Sequence, residues 1–206
     1  AVVLRVQDTT ELDYTAHPPR DAGRLDHAER RGWYQHVELA VTPERLPLGV
    51  VAAESFDRDP DAPSARQSGV RRTGEPIEDK ESFRWLKSYR HACELAAQCP
   101  ATRIVSVADR EADMFELFDF RRRQSGRKAE LLIRAKTDRC LETTEAKLFE
   151  ELAAAPLAQK VSIPVPRQRE HRSKPSEPGR VALAARQAQV EIRYKRGTLS
   201  APQATQ

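Results

Sequence analysis

Ile104-Val105-Ser106-Val107-Ala108-Asp109-Arg110-Glu111-Ala112-Asp113 is an apolar run that stops abruptly at a cluster of charges. The run predicts a short buried strand that delivers Asp109 to its carboxyl end. After it, Met114, Phe115, Leu117, Phe118 and Phe120 recur among Glu116, Asp119 and Arg121, the spacing of an amphipathic helix, here expected to start at Arg110. The motif is strand, acid, helix. In open α/β sheets functional groups gather outside the carboxyl ends of the strands, so an acid there is a candidate for chemistry. Taken alone, the stretch favours Asp109 as the N-cap of that helix, accepting backbone N–H bonds, and a second acid in a matching place is needed to favour chemistry.

Composition narrows what surrounds this stretch. A chain of 206 residues can bury one core and carry a smaller appendage. Thirty-five Lys and Arg against 31 Asp and Glu give a net charge of +4, too mild a balance to imply a nucleic-acid partner by itself. Cys93, Cys99 and Cys140 have no C-x-x-C spacing, so neither a disulfide framework nor a zinc site is indicated. No apolar run is long enough to cross a bilayer and no signal-peptide pattern is seen, so a cytoplasmic protein without membrane contact is expected. Ala1 already lies inside an apparent strand, and the chain reads as a fragment.

Working outward, Val2, Leu4 and Val6 alternate with Val3, Arg5 and Gln7 in a strand that Asp8-Thr9-Thr10 is expected to end, which makes Asp8 a second strand-end acid. His17 to Arg31 is polar and reads as a loop. Trp33 to Val41 and Leu46 to Phe56 read as strands joined in hairpin fashion across Thr42-Pro43-Glu44. Asp57 to Pro76 reads as a long loop; the Gly69 and Gly74 spacing in it is that of a phosphate-binding loop, but Glu75 and Pro76 stand where Lys and Ser or Thr would be required. Glu81 to Gln98 is the clearest helix, with Trp85, Leu86, Tyr89, Ala92, Cys93 and Ala96 on one stripe and Pro100 beyond its end. Strands follow at Arg103 to Ala108 and, after the second helix, at Glu130 to Lys136.

The expected order is three antiparallel strands, helix, strand, helix, strand, with acids closing the first and fourth strands. This α/β order is similar to the ribonuclease-H-like fold, a mixed sheet flanked by helices in which those two strands are neighbours. Two bare carboxylates about 4 Å apart repel by roughly 4 kcal/mol at an intermediate dielectric, and a divalent cation removes that repulsion. Oxygen-only ligands suit Mg²⁺, with Mn²⁺ as an alternative, and a pair of such ions can serve both oxygens of a phosphodiester displacement.

Four blocks carry a family resemblance: Q-D-T-T-E-L-D-Y at Gln7 to Tyr14, R-G-W-Y-Q-H at Arg31 to His36, D-K-E-S-F-R-W-L at Asp79 to Leu86, and V-A-D-R-E-A-D-M at Val107 to Met114. Together they resemble the DDE transposases of bacterial insertion sequences, in the insertion-sequence-four-like branch, over about the first two thirds of the chain. The resemblance implies DNA transposition: metal-dependent cleavage at transposon ends and joining to target DNA. It implies a homodimer in the full-length protein, a nucleoid-associated location, and Asp8 and Asp109 as the first two catalytic and metal-binding acids. Arg134 and Lys136 resemble basic positions of the family near DNA, and Arg110 beside the second acid can orient a phosphate or pair with Asp113. For Glu111 and Asp113 the first-turn helix position is sufficient reason, and for His36 a structural role is expected.

The family's third acid lies in a signature of Tyr, two residues, Arg, three residues, Glu. Three residues beyond Tyr14, Tyr34, Tyr89 and Tyr194 stand His17, Val37, Ala92 and Gly197, so the signature is absent and the chain reads as a transposase's central part. Residues 1–140 are expected to form the catalytic core. Residues 141–206 correspond to a partial β-rich insertion, with a helix at Glu145 to Ala155, strands at Lys160 to Val165 and Val181 to Tyr194, a basic loop from Arg167 to Arg180, and an unpatterned tail from Leu199. Two alternatives stay open: a non-catalytic DNA-binding or dimer-poisoning fragment, and another Asp-dependent phosphoryl-transfer enzyme. The haloacid-dehalogenase-like form of the latter needs Asp at position 10, where this chain has Thr.

Overall fold

The first strand, β1 (Val2–Asp13), runs past the point where its apolar alternation stops, because a long antiparallel partner, β3 (Arg31–Val41), pairs with it from Leu4 opposite Val41 to Asp13 opposite Gly32. Asp8 therefore does not end the strand, contrary to the expectation from its apolar pattern; it sits within β1, opposite Val37. These relations come from a computed structural model that describes residues 1–26, 29–58, 76–169 and 182–201. Gly69 to Gly74, most of the loop before Pro76, and most of the basic segment from Arg167 to Arg180 lie outside the described residues.

The chain divides into two units, Ala1–Thr137 and Asp138–Gln206. In the first, a two-residue strand β2 (Gly23–Arg24) and β4 (Pro47–Phe56) both pair with β3 on the side away from β1. The β3–β4 turn closes with Arg45 N–H on the Thr42 carbonyl and Thr42 N–H on that of Leu46, as the hairpin spacing implied. The other side of β1 carries β5 (Arg103–Ala108), parallel to it, and β6 (Glu130–Ile133) lies parallel beyond β5. The result is a mixed α/β arrangement with parallel and antiparallel strands in one sheet.

Helices α1 (Phe83–Gln98) and α2 (Phe115–Arg123) pack on one face of that sheet. The predicted stripe is the buried one: Trp85, Leu86, Tyr89, Ala92 and Ala96 meet Ile104 and Ala108 of β5, with Leu117 of α2 and Ala129 completing the core. Tyr89 fixes the far end of this core by donating its hydroxyl to the Ala129 carbonyl at 2.7 Å. The opposite face carries no helix among the described residues, and Val2, Val6 and Leu132 are exposed there. Boundaries near the second acid also differ from the periodicity. The helix expected from Arg110 begins at Phe115, because Arg110–Ala112 is a single 3-10 turn that Asp109 caps and Met114 follows in extended conformation. The last strand stops at Ile133, so Arg134 and Lys136 belong to the segment after it.

In the second unit, β7 (Cys140–Leu141) pairs with β8 (Thr144–Lys147), and this pairing delays the predicted helix, α3, to Leu148–Ala154. β9 (Leu157–Val165) and β10 (Arg186–Arg193) form a two-stranded antiparallel ribbon. Its pairing sets Val161 opposite Val190 and Ile163 opposite Ala188, so one face is apolar and the other carries Lys160, Ser162, Gln189 and Glu191.

Candidate functional site

Parallel pairing fixes the level of the two acids. Leu4 stands beside Val105 and Val6 beside Val107, and two residues further along the same register Asp8 is level with Asp109. Side-chain alternation then decides the face. Arg5 and Gln7 are buried under α1, as are Ser106 and Ala108, so Asp8 and Asp109 leave the sheet on the opposite face, beside Val6 and Val107. Neighbouring strands are about 4.8 Å apart, a separation that one or two bound cations can bridge. Each acid accepts one local backbone N–H through Oδ1, Asp8 from Thr9 at 2.8 Å and Asp109 from Glu111 at 2.7 Å. Their other carboxylate oxygens have no protein partner among the described residues, so the donor set suits a hard divalent cation.

The next strand continues the row. Ala108 pairs with Ile133, which puts Arg134 level with Asp109, and the Arg134 N–H donates to the Ala108 carbonyl at 3.2 Å. Arg110, Arg134 and Lys136 are all exposed. At the level where β5 and β6 end, and β1 continues past them, the three parallel strands thus present two acids and, one strand over, the first of the basic residues. Arg110 occupies the turn directly after Asp109.

The neighbouring acids are otherwise engaged. Asp113 accepts the backbone N–H groups of Lys136 and Thr137 through Oδ2, at 2.7 and 2.8 Å, and so ties the turn after β5 to the segment after β6. Glu111 is ion-paired to Arg84 of α1 at 2.9 Å. Among the described residues no group of three or more His, Cys, Asp and Glu side chains is placed to hold a metal.

Beneath the acids, on the α1 face, runs a buried polar chain that links three strands and the helix. Arg84 Nε donates to Thr9 Oγ1 at 3.0 Å, and Thr9 Oγ1 is 2.9 Å from His36 Nδ1. His36 Nε2 meets Gln7 Oε1 at 3.2 Å, and Gln7 Nε2 donates to Ser106 Oγ at 2.9 Å. Both imidazole nitrogens are satisfied when Nε2 carries the hydrogen. Burial, aided by the Arg84 charge and opposed by Asp8 and Glu54, pulls the His36 pKa down to about 4, so the ring is neutral at physiological pH. His36 is a structural residue, in keeping with its isolation on a strand. Deeper still, Arg5 and Glu38 form a buried ion pair, with His91 Nδ1 3.3 Å from the Arg5 guanidinium.

Sequence reasoning missed this chain, and Arg84 above all. Its signals were a place in the D-K-E-S-F-R-W-L block and a position beside the core residue Trp85, and an arginine flanking a buried stripe reads as a solvated residue until its partners are seen. The clefts between α1 and the β3–β4 hairpin, about 270 and 470 Å³, share His36, Glu54, Arg84 and Lys87 as lining and open on the α1 side rather than on the face of the acids. Compared with models of protein families and with curated proteins, the chain matches none.

Proposed function

We propose that the first unit is the ribonuclease-H-like catalytic core of a DDE transposase. The observation that carries the reading is the register of β1 against β5, which brings two acids 101 residues apart in sequence to one level, just where β5 ends. The strand order β4-β3-β1-β5-β6, with β3 antiparallel and β5 and β6 parallel to β1, supports the same assignment. Asp8 and Asp109 would hold Mg²⁺ or Mn²⁺, which when bound stabilises charge on the attacking and leaving oxygens of a phosphodiester. Arg110, Arg134 and Lys136 contribute phosphate contacts beside that site. Such contacts give register and affinity without reading bases, and affinity carried by them falls steeply with salt.

Within these residues the family's third-acid signature is missing, and Glu111 and Asp113 are held by Arg84 and by backbone N–H groups. Phosphoryl transfer depends on positioning, so the chain by itself is expected to bind duplex DNA but not to cut or join it. The test is a nicking assay on transposon-like duplex DNA in Mg²⁺, with the 206-residue chain beside a version extended by a third-acid segment. Cleavage only by the extended chain, abolished by Asp109→Ala, is the expected result. Mg²⁺-dependent cleavage by the short chain, lost on replacing Asp8, would mean that another acid here completes the site. Salt-insensitive DNA binding, or none at low salt, would remove the DNA-binding reading.

A further inference from the structure

Resting on the reading of Asp8 and Asp109 as metal-binding acids, we infer that Arg84 is the positioning residue that holds the two acid-bearing segments level. The backbone ladder between β1 and β5 has its last pair at Val6 and Val107, two residues short of the acids. Beyond that point Arg84 supplies the link. Its Nε donates to Thr9 Oγ1 at 3.0 Å, its Nη2 to Glu111 Oε2 at 2.9 Å, and its Nη1 to the Glu81 carbonyl at 2.7 Å.

Thr9 directly follows Asp8, and its N–H is the donor that Asp8 Oδ1 accepts. Glu111 supplies the N–H that Asp109 Oδ1 accepts. One planar fork therefore grips the residue that orients each acid, while its third contact anchors it to the start of α1. The side chain is only 14% exposed, and its guanidinium lies over the Phe56 and Trp85 rings at 5.3 and 5.6 Å, which leaves the fork little freedom to turn. A lysine cannot reproduce the grip, because an ammonium is a point charge rather than a fork.

Charge and positioning predict opposite results. An arginine acting through its charge alone would repel a nearby metal ion, so neutralising it would tighten metal binding. An arginine that aligns two ligands would, when removed, loosen it. The experiment is a Mn²⁺ titration of the full chain, with free Mn²⁺ read by electron paramagnetic resonance, on wild type, Asp8→Asn, Asp109→Asn, Arg84→Gln and Arg84→Lys, each with a thermal melt to establish folding. Wild type is expected to bind Mn²⁺ in a manner that either Asn variant abolishes. Both Arg84 variants are expected to bind about tenfold more weakly, equivalent to about 1.4 kcal/mol, and with an altered spectrum of the bound ion. Binding in Arg84→Gln that is unchanged or tighter would overturn the positioning role while leaving the acids as ligands. Equal weakening in Arg84→Lys would support it, and wild-type binding in Arg84→Lys would overturn it, because a single point of contact would then do what the fork is held to do. Should Arg84→Gln fail to fold, the lysine variant alone decides. Wild type that takes up no Mn²⁺, or does so regardless of Asp8 and Asp109, would overturn the metal reading and this inference with it.

Discussion

His36 shows how a single residue can make the fold sensitive to pH. Its pKa is about 4 in the folded chain against an ordinary 6.5, so between those values the unfolded chain binds a proton that the folded chain does not. Stability from this group is complete above about pH 6.5 and declines as pH falls towards 4, by up to about 3 kcal/mol. Urea unfolding at pH 4.5, 5.5 and 7 should show that decline in wild type and a flatter profile in His36→Gln; equal slopes would refute the assignment. The buried Arg5–Glu38 pair makes a separate prediction. Burial pulls the Arg5 guanidinium down to about 10, yet it remains charged at neutral pH, so removing only its partner strands a buried cation. Glu38→Gln should cost roughly 3–5 kcal/mol, and replacing both residues by Met should recover most of that, because an apolar pair of similar volume has no desolvation cost to offset. If the double variant is no more stable than the single one, the pair contributes net stability of its own. Neither residue was legible as buried from sequence. Arg5 and Glu38 alternate with apolar neighbours as surface charges on a half-exposed strand would, and only the pairing of β1 with β3 puts both on the covered face.

Among the elements, α1 and α2 depend on few contacts that repay mutation. Leu117 is fully buried and anchors the short helix α2, so Leu117→Ala should lower stability by about 3 kcal/mol in chemical denaturation. Tyr89→Phe removes the hydroxyl from the Ala129 carbonyl and should cost about 1 to 2 kcal/mol without disturbing the helix, measurable by the same unfolding curves with unchanged far-ultraviolet dichroism. Elements with strong periodicity were readable. The α1 stripe and the β5 run were identified in place, and the hairpin between β3 and β4 followed from its short connection. The errors fell where non-local pairing overrides pattern. β1 outlasts its apolar residues because β3 supplies partners, α3 starts late because β8 claims its first residues, and Asp109 caps a 3-10 turn before the helix can begin. The two acids were legible as strand-associated, whereas Arg84, whose partners lie on β1 and on the turn after β5, could not be found by any spacing rule.

At the scale of the whole molecule, the division at Thr137 and Asp138 predicts that residues 1–137 fold without the remainder. That segment should show a single cooperative melt within a few degrees of the corresponding transition in the full chain, and a non-cooperative profile would place the boundary elsewhere. The described helices of the first unit share one face of the sheet, and the acids leave on the other, so the candidate site depends on which way each strand is turned. This dependence has a genetic consequence. Deleting any one residue between Val2 and Gln7 would, if the upstream pairing held, carry Asp8 one step back along β1 and rotate its carboxylate beneath α1, into the layer now occupied by Gln7 and Arg5. Every functional side chain would still be present, yet the acids would face opposite sides of the sheet. The site is therefore encoded in the parity of the residue count along β1 as much as in the identity of its acids, and a chain can lose it through an in-frame codon deletion that alters neither one.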